Sequence, residues 1–148
     1  MSYVNLIYHM VFSTKDREPL ITPEYESKIH QYIGGMIDKR GGLAFAINGM
    51  EDHLHVLAKL RQDKSLSDVI RDLKAGATGW MHDVFPALED FAWQKGYGAF
   101  TVSQSQVNEV RKYIANQKMR HQDRSFEQEF RKILVVNEIE FDERYLFK

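Results

Sequence analysis

The chain opens on an alternation. From Tyr3 to Ser13, Val4, Leu6, Tyr8, Met10 and Phe12 share one parity, and Tyr3, Asn5, Ile7, His9 and Val11 share the other. A period of two predicts a strand with one apolar face and one mixed face. Lys15-Asp16-Arg17-Glu18-Pro19 breaks it as a charged loop. The period then lengthens: Tyr25, Ile29, Tyr32, Ile33, Met36 and Ile37 recur at helical spacing, between Thr22-Pro23-Glu24 and Lys39-Arg40-Gly41-Gly42. Thr22 offers a capping hydroxyl, Pro23 suits the first helical position, and a basic last turn suits the helix dipole. Leu43 to Met50 and His53 to Leu60 read as two strands of a hairpin turning at Glu51-Asp52.

A second helix follows, capped by Ser65 with Asp68 three residues on, and striped by Leu66, Val69, Ile70, Leu73, Ala77, Trp80 and Met81. Gly76 and Gly79 interrupt the stripe; each costs roughly 1 kcal/mol relative to Ala, which points to close packing or a bend. Pro86 ends the segment. Gly96 to Val102 reads as a fourth strand whose glycines suggest a bulge or a close backbone approach. A third long helix is predicted from Ser105 to about His121, a shorter one from about Ser125 to Val135, then an extended tail with Phe141, Tyr145 and Phe147. The order β-α-β-β-α-β predicts an α+β, ferredoxin-like (split βαβ) fold: an antiparallel sheet with two helices on one face and the other face free. A single domain over residues 1–148 is expected, with a core over about 1–104, a helix over about 105–121 and a C-terminal extension over 122–148.

Composition narrows the class. With 43% hydrophobic and 28% charged residues, the chain is globular and neither disordered nor fibrous. The absence of cysteine excludes a disulfide scaffold, a Cys-ligated zinc site and thiol catalysis. No run approaches the ~18 apolar residues of a membrane span. No basic residues precede the N-terminal apolar run, which argues against a signal peptide. A cytoplasmic protein without membrane contact is expected.

The sharpest chemical feature is Asp52-His53-Leu54-His55-Val56-Leu57. In a strand, His53 and His55 project from one face with Cα atoms about 6.6 Å apart, close enough to converge on one metal ion. Two imidazoles on a half-exposed sheet face can also be solvated side chains, and two ligands do not complete a site. On the helix from Ser105, Val107, Val110 and Ile114 form a narrow apolar stripe. Tyr113 lies on its shoulder, with Gln117 beside it one turn later and Arg120 nearby. A tyrosine flanking such a stripe can equally be the edge of a core. Lys15, Arg17, Arg71 and Lys74 are further cations, with acids interspersed among them.

Tyr8 to Lys15, Asp52 to Leu57, Trp93 to Ser103 and Val110 to Gln117, in that order, resemble the single-domain HUH-superfamily tyrosine transposases. These are insertion-sequence enzymes of the TnpA type that act on single-stranded DNA. The resemblance runs to about Tyr145. It implies that His53 and His55 are ligands of a divalent ion, Mg²⁺ or Mn²⁺, that Tyr113 is the nucleophile, and that Gln117 is the third ligand. It implies single-stranded DNA carrying a hairpin as substrate, and a homodimer, in many relatives with the tyrosine helix of one subunit docked on the histidines of the other. Lys15, Arg17, Arg71 and Lys74 are candidate phosphate contacts; Arg120 as a helper on the phosphate rests on its helical position alone. Two other readings stay open: a ferredoxin-like nucleic-acid-binding module without chemistry, and a histidine-metal phosphodiesterase that uses water.

The formal balance of 20 Lys and Arg against 21 Asp and Glu gives no broad basic field. Residues 1–121 carry 15 against 14, and residues 122–148 carry 5 against 7, so the extension is the acidic part. DNA would then be held by a few placed cations and by shape.

Overall fold

The computed structural model describes residues 1–147. The strands are β1 (Leu6–Ser13), β2 (Leu43–Met50), β3 (His53–Leu60) and β4 (Gly98–Thr101), and the helices α1 (Pro23–Lys39), α2 (Leu66–Val84), α3 (Val107–Ala115), α4 (Gln117–Arg120) and α5 (Phe126–Val136). The sheet runs β2-β3-β1-β4, antiparallel throughout. This is the α+β, ferredoxin-like order that the sequence predicts. The first strand starts at Leu6, not Tyr3, and the fourth spans only Gly98–Thr101.

Alternation along the strands separates two layers. Met10, Phe12, Leu54, Val56 and Ala58 face α1 and α2, where Ile29, Ile33, Ile37, Val69, Ile70, Leu73, Ala77 and Met81 close the core. Gly76 marks the close approach of the two helices: a Cβ there would stand 2.6 Å from the Met36 sulfur. Gly79 has nothing within 4 Å, so packing does not account for it. Ser65 caps α2 by accepting from the Asp68 amide, whereas Thr22 stands at the N-cap of α1 without a side-chain cap bond.

The opposite face is not free. Ile7 and Leu57 pack against Val107 and Ile114 of α3. Val11 and Phe100 pack against Phe126 and Leu134 of α5, with Phe141 and Phe147 of the tail alongside. The apolar residues on the mixed face of β1 require this cover. At Gly98, a Cβ would stand 2.6 Å from the Phe130 ring, so only glycine lets α5 sit this close to β4.

The predicted helix from Ser105 to His121 is two helices. Asn116 (φ −95°, ψ 17°) separates α3 from α4. The Asn48 side chain donates to the Ile114 carbonyl at 3.0 Å and to the Ala115 carbonyl at 3.4 Å. Lys118 donates to the Gly49 carbonyl and pairs with Glu26. Both contacts tie the tyrosine-bearing helices to the sheet of their own chain. Among the described residues, no helix is long and apolar enough to cross a membrane.

Candidate active site

β3 presents His53, His55 and Leu57 to the α3–α5 side, and α3 to α5 bring a second set of groups down onto them. His53, His55 and Gln117 are fully buried and Glu129 is 3% exposed. The sequence prediction of a half-exposed histidine pair is therefore corrected: the helices that cover the second face bury it.

The hydrogen-bond pattern fixes which ring atoms face inward. His53 Nδ1 stands 2.7 Å from Asp52 Oδ1, an acceptor, so Nδ1 carries its hydrogen toward Asp52 and Nε2 is the ring nitrogen that faces the site. There it meets Gln117 Oε1 at 3.1 Å. Gln117 Nε2 donates to Glu129 Oε2 at 2.9 Å, which orients the amide with its oxygen toward His53. His55 Nδ1 stands 2.8 Å from His9 Nε2, and His55 Nε2 stands 3.0 Å from Glu129 Oε1. His121 Nδ1 donates to the Arg124 carbonyl and its Nε2 lies 3.1 Å from Glu129 Oε1. Tyr113 donates its hydroxyl hydrogen to Glu129 Oε2. The guanidinium of Arg120 lies over the Tyr113 ring, 4.3 Å from its centroid.

Burial and charge oppose each other here. Burial would lower the His53 pKa, but hydrogen bonds to Asp52 and Glu129 outweigh it and raise it. Burial lowers that of His55 despite Glu129. His9 is pushed down to about 3 by burial and by His55, so it is neutral. Burial alone would raise Glu129; hydrogen bonds with His121, His53 and His55 instead hold it far below the usual carboxylate range. Burial, together with the bond to Glu129, raises Tyr113 above an ordinary phenol.

The donor set suits a divalent cation. One ligand atom each from His53, His55 and Glu129 lies within 4.8 Å of the others. His53 Nε2 and Gln117 Oε1 face each other although neither carries a hydrogen to share if the ring is neutral, so the pair needs a positive charge between or beside them. Nitrogen and oxygen donors without sulfur fit Mg²⁺ or Mn²⁺. The residues present fit such an ion.

A cleft of about 200 Å³ lined by Tyr113, Arg120, His121, Asp123, Arg124 and Glu129 reaches the nucleophile candidate from outside. The other candidate cations lie apart from it. Lys15 is exposed. Arg17 pairs with Glu127 at 2.8 Å, and Arg71 pairs with Asp68 and Asp72. Lys74 donates to the Gln94 and Gly96 carbonyls, and burial lowers its pKa to about 8.

The sequence reading placed His53, His55, Tyr113 and Gln117 together, and they are together. The sequence does not single out Glu129 or His121, and it leaves His9, on the mixed face of the first strand, as a core or surface side chain that borders the histidine pair at most. The signal for Glu129 was available: it interrupts the helical stripe of Phe126, Phe130, Ile133 and Leu134, and an acid on an apolar face needs a partner.

The sequence model of the family described as "Transposase IS200 like" matches residues 2–117. The chain belongs to this family. The IS200-like chain is 23% identical over 117 residues to the ISDra2 transposase TnpA of Deinococcus radiodurans, spanning 76% of this chain and 84% of the relative. Its fold matches the crystal structure of a Deinococcus radiodurans protein, with TM-score 0.65 and 25% identity, over 79% of this chain and 95% of that one. It also matches the structure of the REP-associated tyrosine transposase bound to a REP hairpin, with TM-score 0.60 and 18% identity, over 82% of this chain and 72% of the other. As an IS200-like transposase the chain is an enzyme of DNA transposition.

Proposed function

We propose that this IS200-like transposase cleaves and rejoins single-stranded DNA beside a hairpin at the ends of its element, in the cytoplasm, through a 5′-phosphotyrosine on Tyr113. The observation that supports this most is the convergence in one chain of the Tyr113 hydroxyl with His53, His55 and Gln117. The hairpin follows from the family resemblance, and the neighbour of like fold was captured with one.

The Tyr113 hydroxyl gives up its proton to solvent as its oxygen attacks the phosphorus in line; the new O–P bond forms as the P–O3′ bond breaks, and the departing oxygen takes up a proton from solvent, so the proton count is unchanged and a free 3′-OH is left. The phosphodiester's energy is kept in the tyrosyl ester, so rejoining needs no nucleotide triphosphate. His53, His55 and Gln117 would hold a divalent ion, which would supply Lewis acidity toward the phosphate, worth several kcal/mol. Arg120, over the Tyr113 ring, and exposed Arg124 present charge to the phosphate at the mouth of the cleft. The resemblance implies a homodimer. The ties of α3 and α4 to their own sheet support an arrangement in which each protomer holds its own tyrosine over its own histidines.

The test is an oligonucleotide carrying the element's hairpin, incubated with the protein and Mn²⁺ or Mg²⁺ and resolved under denaturing conditions. A covalent protein–DNA adduct is expected, absent with a chelator and absent in Tyr113→Phe. Cleavage that survives Tyr113→Phe would favour attack by water instead. Binding without cleavage in either metal would reduce the chain to a nucleic-acid-binding module.

A further inference from the structure

Glu129 is the one buried carboxylate among the described residues. It stands on α5 within a row of apolar side chains, 3% exposed, and among the described residues its ion-pair partners are histidines, not lysine or arginine. Burying a carboxylate without compensation costs several kcal/mol. Its partners are instead three imidazoles, a phenol and an amide, and the two oxygens divide them. Oε1 faces His55 Nε2 at 3.0 Å, His121 Nε2 at 3.1 Å and His53 Nε2 at 3.3 Å. Oε2 takes hydrogens from Tyr113 and from Gln117 Nε2.

We propose that Glu129 is a further catalytic residue: through Oε1 it ligates the divalent ion alongside His53, His55 and Gln117, and through Oε2 it holds the Tyr113 hydroxyl. This rests on the metal-dependent reading given above and extends it to the C-terminal extension, which thereby supplies part of the active site. Two physical arguments carry it. The first is spacing. Ligand atoms about 2.1 Å from one hard cation and at right angles to each other stand about 3.0 Å apart. The separations of Glu129 Oε1 from His55 Nε2 and His53 Nε2, and of His53 Nε2 from Gln117 Oε1, are 3.0, 3.3 and 3.1 Å. The second is charge. His53, His55 and Gln117 coordinate as neutral groups, and a doubly charged ion buried among them alone lacks a counter-charge. Glu129 is the carboxylate that reaches all three, and oxygen anions are what Mg²⁺ and Mn²⁺ prefer.

Placement is built into α5. Ser125 accepts from the Gln128 amide while Gln128 reaches back to the Ser125 amide, a complete capping box that fixes the first turn. Phe126, Phe130 and Leu134 then clamp the helix to Val11 and Phe100. Glu129, in that same first turn, is thereby placed against the histidines.

The experiment is a Mn²⁺ titration of the full-length protein, followed by loss of the free-ion electron paramagnetic resonance signal, for the wild type, Glu129→Gln, Glu129→Asp and His53→Ala. Glu129→Gln is expected to weaken Mn²⁺ binding at least tenfold, the lower end of what disturbing a metal site costs. At saturating Mn²⁺ it is expected to form the tyrosyl adduct at least tenfold more slowly. Glu129→Asp keeps the charge but withdraws it by one methylene; it is expected to bind Mn²⁺ more weakly than the wild type, and it decides the matter if circular dichroism shows Glu129→Gln unfolded. Affinity that is unchanged or tighter in the glutamate variants would overturn the proposal, the tighter result meaning that Glu129 keeps the ion out. An unchanged adduct rate at saturating Mn²⁺ would overturn its Tyr113 half. A wild type that takes up no Mn²⁺, or a His53→Ala variant that binds as the wild type does, would sink the metal-dependent reading itself.

Discussion

His9 is buried and neutral, and its Nε2 stands 2.8 Å from Nδ1 of His55, with the two rings stacked at 5.0 Å. A ring nitrogen that bonds behind a ligand sets the tautomer and the aim of the nitrogen in front. His9→Ala is therefore expected to lower Mn²⁺ affinity by about tenfold, read in the same titration. His9→Gln, whose amide reaches the place of Nε2, should recover most of the loss; no loss in His9→Ala would show that packing alone aims His55. The residues of the site differ in how legible they are. His53 and His55 are two apart in a strand, and Tyr113 and Gln117 four apart near one helical face, so local periodicity aligns each pair. His9 reaches His55 through the β1–β3 register, in which His9 is opposite Leu57 and Val11 is opposite His55. Glu129 arrives from another helix altogether. No local period encodes either meeting.

At the scale of elements, the break at Asn116 decides where the nucleophile candidate sits. The helical stripe continues across it, and periodicity reads through a single residue whose backbone has changed, so the sequence predicts one helix. What sustains the break lies far away in the chain. Asn48, opposite His55 in the β2–β3 pairing, supplies donors to the carbonyls of Ile114 and Ala115 that the ended helix leaves without an internal partner. Asn48→Ala is expected to cost about 1 kcal/mol, or about 3 °C in Tm for a chain of this size. It should also slow adduct formation by more than the lost stability explains, because Tyr113 immediately precedes the released carbonyls. A lowered Tm with an unchanged adduct rate would separate the anchor from the chemistry. The other elements were legible because capping and period agree there, as at Ser65 and along α1 and α2. The cover on the second sheet face was not read, although the mixed face of β1 carried Ile7 and Val11 and needed it.

For the whole molecule the question is how a chain of formal net charge −1 holds a polyanion. Many of its cations are already occupied: Arg17 by Glu127, Arg71 by Asp68 and Asp72, Arg131 by Glu143, Arg144 by Asp142, and Lys74 by two backbone carbonyls. These pairs also neutralise three of the seven acids of the extension, Glu127, Asp142 and Glu143. The cations beside Tyr113 are few: Arg120 and Arg124 line the cleft, and Lys132 lines the adjoining one with Tyr113 and Glu129. Each phosphate neutralised on a single strand contributes about −0.7 to the slope of log affinity against log salt. Three or four contacts therefore give a slope of about −2 to −3. Equilibrium binding to the hairpin oligonucleotide between low and moderate salt measures it, and a slope steeper than about −5 would require a basic surface larger than these residues form. Arg120→Ala and Arg124→Ala should each make the slope shallower by roughly one such contact. The same substitution of Arg71, already paired on α2 and away from the cleft, should leave it unchanged. A neutral total charge is compatible with DNA where a few cations gathered around Tyr113 meet the backbone and shape selects the strand.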